Sequence, residues 1–111
     1  MDKEVLIVTT NDVPGYKVTE VYGEVFGLIV RSRNIFSNIG AGLRTVVGGE
    51  VKGYTKMVSD SREHAIVRLR QAAKDKGANA VLAMRFDSGD IGNVMNEVAA
   101  YGTAAKIEQI K

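Results

Sequence analysis

Residues 50–76, EVKGYTKMVSDSREHAIVRLRQAAKDK, carry the clearest helical periodicity in the chain. Val51, Tyr54, Val58, Ala65, Leu69, Ala72 and Ala73 recur at spacings that suit one face of a 3.6-residue helix. Gly77 follows as a left-handed stop. Lys74 and Lys76 fall in the last turn, where the helix dipole favours cations. One helix over this span would be about 39 Å long at 1.5 Å per residue. Asp60 and Glu63 could form an internal capping box, so a break near Ser59 is the alternative. The expectation is one long helix.

Upstream, residues 17–32 (KVTEVYGEVFGLIVRS) read as a long strand. Thr19, Val21, Gly23, Val25, Gly27 and Ile29 share one face. Glu20, Tyr22, Glu24, Phe26, Leu28 and Val30 take the other. Two glycines on one face mark either a curved strand or a helix crossing close above it. Residues 5–9 (VLIVT) read as a short buried strand, and residues 11–15 (NDVPG) as a turn. In residues 33–49, apolar positions spaced by 3 to 4 suggest one or two irregular helical turns.

Downstream, residues 79–87 (NAVLAMRFD) alternate. Ala80, Leu82, Met84 and Phe86 are expected on one face, and Val81, Ala83, Arg85 and Asp87 on the other. Residues 88–93 read as a loop and residues 97–107 as a last strand, rich in Ala and Gly. Small residues on both faces call for tight packing on each side, which an edge strand of a monomer rarely needs.

The 111 residues make a single domain, 1–111. Apolar residues at 45% and charged residues at 25% exclude fibrous and disordered classes. Without cysteine there is no disulfide, thiolate metal site or Cys nucleophile. A net charge of +2 and scattered aromatics give no basis for a nucleic-acid partner. The apolar run at residues 5–8 is too short for a secretory signal or a membrane span. A cytoplasmic protein with no membrane partner is the expectation.

The chemistry narrows to three places. Glycines at 40, 42, 48 and 49 invite a phosphate loop, but Thr45 stands where a dinucleotide fingerprint needs Gly or Ala, and no Gly-Lys-Ser/Thr occurs. Arg31, Arg33, Asn34, Arg44 and Asp87 are the candidate ligand-binding residues, because arginine forks grip oxyanions at two points. Salt bridges that fix loops or join subunits are the plainer use of the same side chains. His64, the single histidine, could pair with Asp60 one turn earlier or join symmetry-related copies around a metal. No Gly-x-Ser-x-Gly elbow or nucleophile–base set marks an enzyme, and no cofactor is implied. The basic residues between 62 and 76 read as a solvated helix face.

Several ordered motifs resemble the YbjQ-like family. They are Ile7-Val8-Thr9-Thr10, Val13-Pro14-Gly15-Tyr16, Val30-Arg31-Ser32-Arg33-Asn34, Gly48-Gly49-Glu50-Val51-Lys52-Gly53-Tyr54-Thr55, Gly77-Ala78-Asn79-Ala80-Val81, Arg85-Phe86-Asp87 and Tyr101-Gly102-Thr103-Ala104. The resemblance implies an α+β subunit of order β-β-α-β-β. In it an antiparallel sheet packs on one long helix, in a dodecin-like arrangement, and the copies form a homo-oligomer, best guessed as a pentamer. Members are often labelled heavy-metal-binding, yet soft metals prefer thiolate and imidazole, and this chain has one His and no Cys. The expected function is a non-enzymatic homo-oligomeric module that binds a small anion between subunits. The alternative is a metal-binding protein that uses symmetry-related His64 or carboxylates.

Overall fold

The computed structural model of the chain describes residues 4–32, 52–91 and 95–111. Five elements follow in order: β1 (Leu6–Ile7), β2 (Tyr16–Ser32), α1 (Lys52–Asp75), β3 (Ala80–Ile91) and β4 (Met95–Gln109). The class is α+β, in the expected β-β-α-β-β order. The irregular turns expected at 33–49 and the glycine-dense stretch lie outside the described residues.

The sheet runs β1-β3-β4-β2. It is mixed, not purely antiparallel as expected. β4 pairs antiparallel with both β2 and β3, while β1 pairs parallel with β3 through Leu6 with Ala80 and Ile7 with Val81. A parallel pair needs a long crossover, and here β2 and α1 lie between the two strands in sequence. β4 is a central strand. It lies between β3 and β2, so its small residues meet neighbours within the chain.

α1 is unbroken over Lys52–Asp75. Ser61, Ala65, Leu69 and Ala73, spaced by four, form its fully covered stripe, at 2%, 0%, 0% and 0% exposure. That stripe crosses β2 at Gly27. A Cβ there would run into the Ala65 carbonyl oxygen and the Leu69 amide nitrogen, so only glycine lets the two backbones approach this closely. Gly23 does a different job: it has φ +97° and sits at an irregularity in the β2–β4 register. The two glycines thus divide the two uses expected of them. The helix ends as expected at Gly77 (φ +86°). Ala78 N–H donates to Ala73 O and Gly77 N–H to Lys74 O, a Schellman closure.

Bulges correct the simple alternation. Beyond Gly23 the pattern holds, with Val25 and Ile29 buried under α1 and Phe26, Leu28 and Val30 exposed on the far face. Before it, Tyr22 packs toward the helix-side core and Val21 is exposed, the reverse of the expected assignment. In β3 the register jumps between Leu82 and Arg85, so Ala83 and Met84 face Gly102 alone, and Ala83 takes φ +53°. Val81 and Met84 therefore join the core under α1 with Phe86 packed against it, while Ala80 and Leu82 face the other way with Ala105 and Ile107. The N-terminal segment covers this second cluster through Val8 and Val13.

Three smaller expectations also change. Residues 88–91 are strand, not loop, paired from Ser88 with Val98 to Ile91 with Met95. Val58 is exposed and not part of the core. In the first strand Val5 is buried, but Leu6 is 43% exposed. Past Ile7 the segment serves the β3 bulge: Ala83 N–H donates to Thr10 O, Met84 N–H to Val8 O, and Arg85 Nη1 to Thr9 O.

Candidate functional site

Arg31 stands near the end of β2 on the face that carries α1. Its Nε donates to Ser61 Oγ at 2.9 Å, and its Nη2 lies 3.0 Å from His64 Nδ1. A guanidinium has no acceptor, so Nδ1 of His64 must accept, and the neutral ring then carries its proton on Nε2. Ser61 is buried and His64 exposed, so the guanidinium is held from below by the serine and from the side by the imidazole. His64 is a surface residue whose possible partners in sequence included Asp60; its ring nitrogen meets Arg31.

Of the other candidate ligand-binding residues, Arg33, Asn34 and Arg44 lie outside the described residues. Asp87 is exposed on β3 and pairs with Ala99, in line with Leu28 on β2. It therefore sits on the sheet face away from α1. Within one chain Arg31 and Asp87 are on opposite faces of the sheet. Among the described residues, no group of three His, Cys, Asp or Glu side chains is placed to hold a metal ion.

The basic side of α1 is more than a solvated face. Arg68 Nη1 donates to Leu28 O at 2.7 Å, and Lys76 Nζ to Glu24 O at 3.3 Å. These two cations occupy carbonyls of β2, the outer strand of the sheet, and guard an edge that would otherwise invite pairing. Arg70 Nε reaches Val5 O at 3.2 Å, fastening the N-terminal segment. The Arg62 guanidinium lies 5.0 Å from the Phe86 ring centroid. Beside it an open groove of about 470 Å³ is bounded by Val58, Phe86, Asp90, Asn96 and Glu97.

On the face away from α1, Phe26 (58% exposed), Leu28, Val30 and Tyr101 form an apolar run. The Phe26 and Tyr101 rings stack with centroids 6.0 Å apart. Tyr22, nearer the start of β2, donates its hydroxyl to Glu20, and this bond raises the phenol pKa above the ordinary value.

The comparisons agree with this fold. A family model described as "Putative heavy-metal-binding" matches residues 5–108. The chain belongs to the YbjQ-like family. It is similar to the UPF0145 protein YjfJ of Lactococcus lactis subsp. lactis, 62% identical over 108 residues, covering 97% of this chain and 99% of that protein. A UPF0145 protein of Thermoplasma volcanium is 54% identical, covering 99% and 92%. A crystal structure from Pediococcus pentosaceus, of a protein of unknown function in the DUF74 family, superposes with a TM-score of 0.60 at 14% identity. It covers 94% of this chain and 98% of its own, a likeness of fold alone. Membership explains why the quoted motifs extend along nearly the whole chain.

Two features of this YbjQ-like chain escaped the sequence. Ser61 is not among the candidate residues, although its spacings of four from Ala65 and eight from Leu69 place it on the buried stripe. The edge-guarding role of Arg68 and Lys76 needs the helix position over β2, which no local pattern encodes. Among the described residues, no helix is long and apolar enough to cross a membrane.

Proposed function

We propose that this YbjQ-like protein is a cytoplasmic, non-enzymatic module. Its copies assemble through the sheet face away from α1 into a dodecin-like ring, five copies being the preferred number. The assembly offers a site to a small anion. The exposed run Phe26–Leu28–Val30–Tyr101 supports the self-association most strongly. Exposed apolar patches of this kind mark interaction surfaces. Arg68 and Lys76 occupy the β2 edge, so the face is the more available contact. Its rim also carries both Arg85 and Asp87, so a second copy brings complementary charge to the same surface. Sedimentation velocity across the micromolar range tests the reading. Wild-type protein should run as a multiple of the monomer, and Phe26→Glu as a folded monomer. A wild-type chain that stays monomeric throughout overturns it.

The heavy-metal reading in the family description has less support. A metal ligand must offer a lone pair, and Arg31 occupies the one on His64 Nδ1. A metal would have to displace that contact and find its remaining ligands elsewhere. Titration with zinc, copper and nickel decides it, with stoichiometric binding lost in His64→Ala as the result in its favour.

A further inference from the structure

We infer that the exposed sheet face of one copy seats in the groove beside α1 of the next copy, a contact that runs head to tail. This rests on the assembly proposed above and supplies its second surface. A face that meets only its own copy closes at two, so a larger ring needs two different surfaces on each subunit. The groove is the second. On the flank of α1 that overhangs β3, two open hollows of about 470 and 540 Å³ share Val58, Arg62 and Phe86. Ile66 and Glu63 line the larger one. Val58 follows the apolar period of the helix and yet is 42% exposed, so the groove offers apolar surface to a partner.

Face and groove match in chemistry. The stacked rings of Phe26 and Tyr101 stand out from the face, and Val58, Ile66 and Phe86 give the groove apolar walls to receive them. Arg85 sits opposite Tyr101 on the β3–β4 ladder, and Asp87 follows two residues on. The groove carries Arg62 and Glu63, the opposite charges in turn. Asp87 of one copy then meets Arg62 of the next, and Arg85 meets Glu63. The Arg62 guanidinium is held 5.0 Å from the Phe86 centroid, a contact that fixes its place and consumes no N–H. The bonds from Arg85 to the Thr9 and Met84 carbonyls use Nη1 alone. Phe86 packs on the α1 side of the sheet and Asp87 lies on the other, so the two surfaces of one copy point in opposite directions. A contact that propagates from copy to copy requires this.

Sedimentation velocity of two variants, alone and mixed, is the test. Phe26→Glu spoils the face and Val58→Glu the groove, and each alone should run as a monomer with unchanged far-UV circular dichroism. An equimolar mixture keeps one good face and one good groove, so it should form a two-copy species and stop there. Arg62→Glu should raise the concentration for half-assembly about tenfold or more, and Arg62→Glu combined with Asp87→Arg should recover most of the loss. Within one copy these two residues stand on opposite sides of the sheet, so that recovery reports contact between copies. Val58→Glu that assembles like wild type, or a mixture that stays monomeric, overturns the head-to-tail contact and leaves self-association intact. Wild-type protein that stays monomeric overturns both. If Val58→Glu fails to fold, Arg62→Glu, at an exposed position, takes its place in the mixture.

Discussion

The two faces of the sheet contrast sharply. Under α1, glycine and alanine let backbone and helix close to contact, and Val25, Ile29, Leu69 and Val81 fill the space between. On the other face, toward the end of β2, Phe26, Leu28 and Val30 project their large side chains outward. Small residues thus lie where backbone and helix meet most closely, while on the far face Phe26 and Tyr101 stack on each other and stay exposed. On the assembly proposed above, the exposed face is where a second copy would dock.

The covered face is the easier to break. Gly27→Ala sets a Cβ against the Ala65 carbonyl and the Leu69 amide, and neither can yield without moving the helix. The expected loss is about 4 kcal/mol or more, read as a collapsed urea midpoint or failure to fold. Leu69→Ala keeps the backbone and removes the largest side chain of the buried stripe. It should cost about 2–5 kcal/mol by chemical denaturation at fixed protein concentration.

The exposed face should answer differently. Leu28→Lys is expected to change monomer stability by about 0.5 kcal/mol or less, while lowering the sedimentation coefficient. A large stability loss without a change in assembly would mean that this face is closed within the chain. The smallest effect concerns Tyr22. Its phenol should titrate above its ordinary value of 10.0, because Glu20 accepts its hydrogen bond and the carboxylate disfavours a phenolate beside it. The folded value is the raised one, so any stability linked to it is full at neutral pH and lost as pH climbs through that raised value. Ultraviolet titration of Glu20→Gln should return the phenol toward 10.0.

Local pattern carried much of this architecture. The helix and its glycine stop follow from spacing, and the far face of β2 from alternation after Gly23. What failed were the places where one residue is added or a distant strand intervenes. Ala83 has no sequence mark for a left-handed backbone, yet that one bulge moves Met84 and Phe86 to the opposite face from Ala80 and Leu82. The parallel β1–β3 pair is also silent, because two residues of ladder leave no periodicity to read. Of the candidate site, Arg31 was legible as a cation near a strand end, but its partners were not. Ser61 and His64 reach it only because α1 crosses β2 at a glycine.

The N-terminal segment also dictates a timetable for biogenesis. Thr9 gives its carbonyl to an arginine 76 residues further along the chain. On a ribosome the opening residues therefore emerge long before their docking place exists. They must wait unpaired until most of these 111 residues have been made, and Val8 and Val13 stay wet until Ala80, Leu82, Ala105 and Ile107 follow. β4, with which β2 and β3 both pair, follows later still, so the sheet closes only after the docking strand of the N-terminal segment has been made.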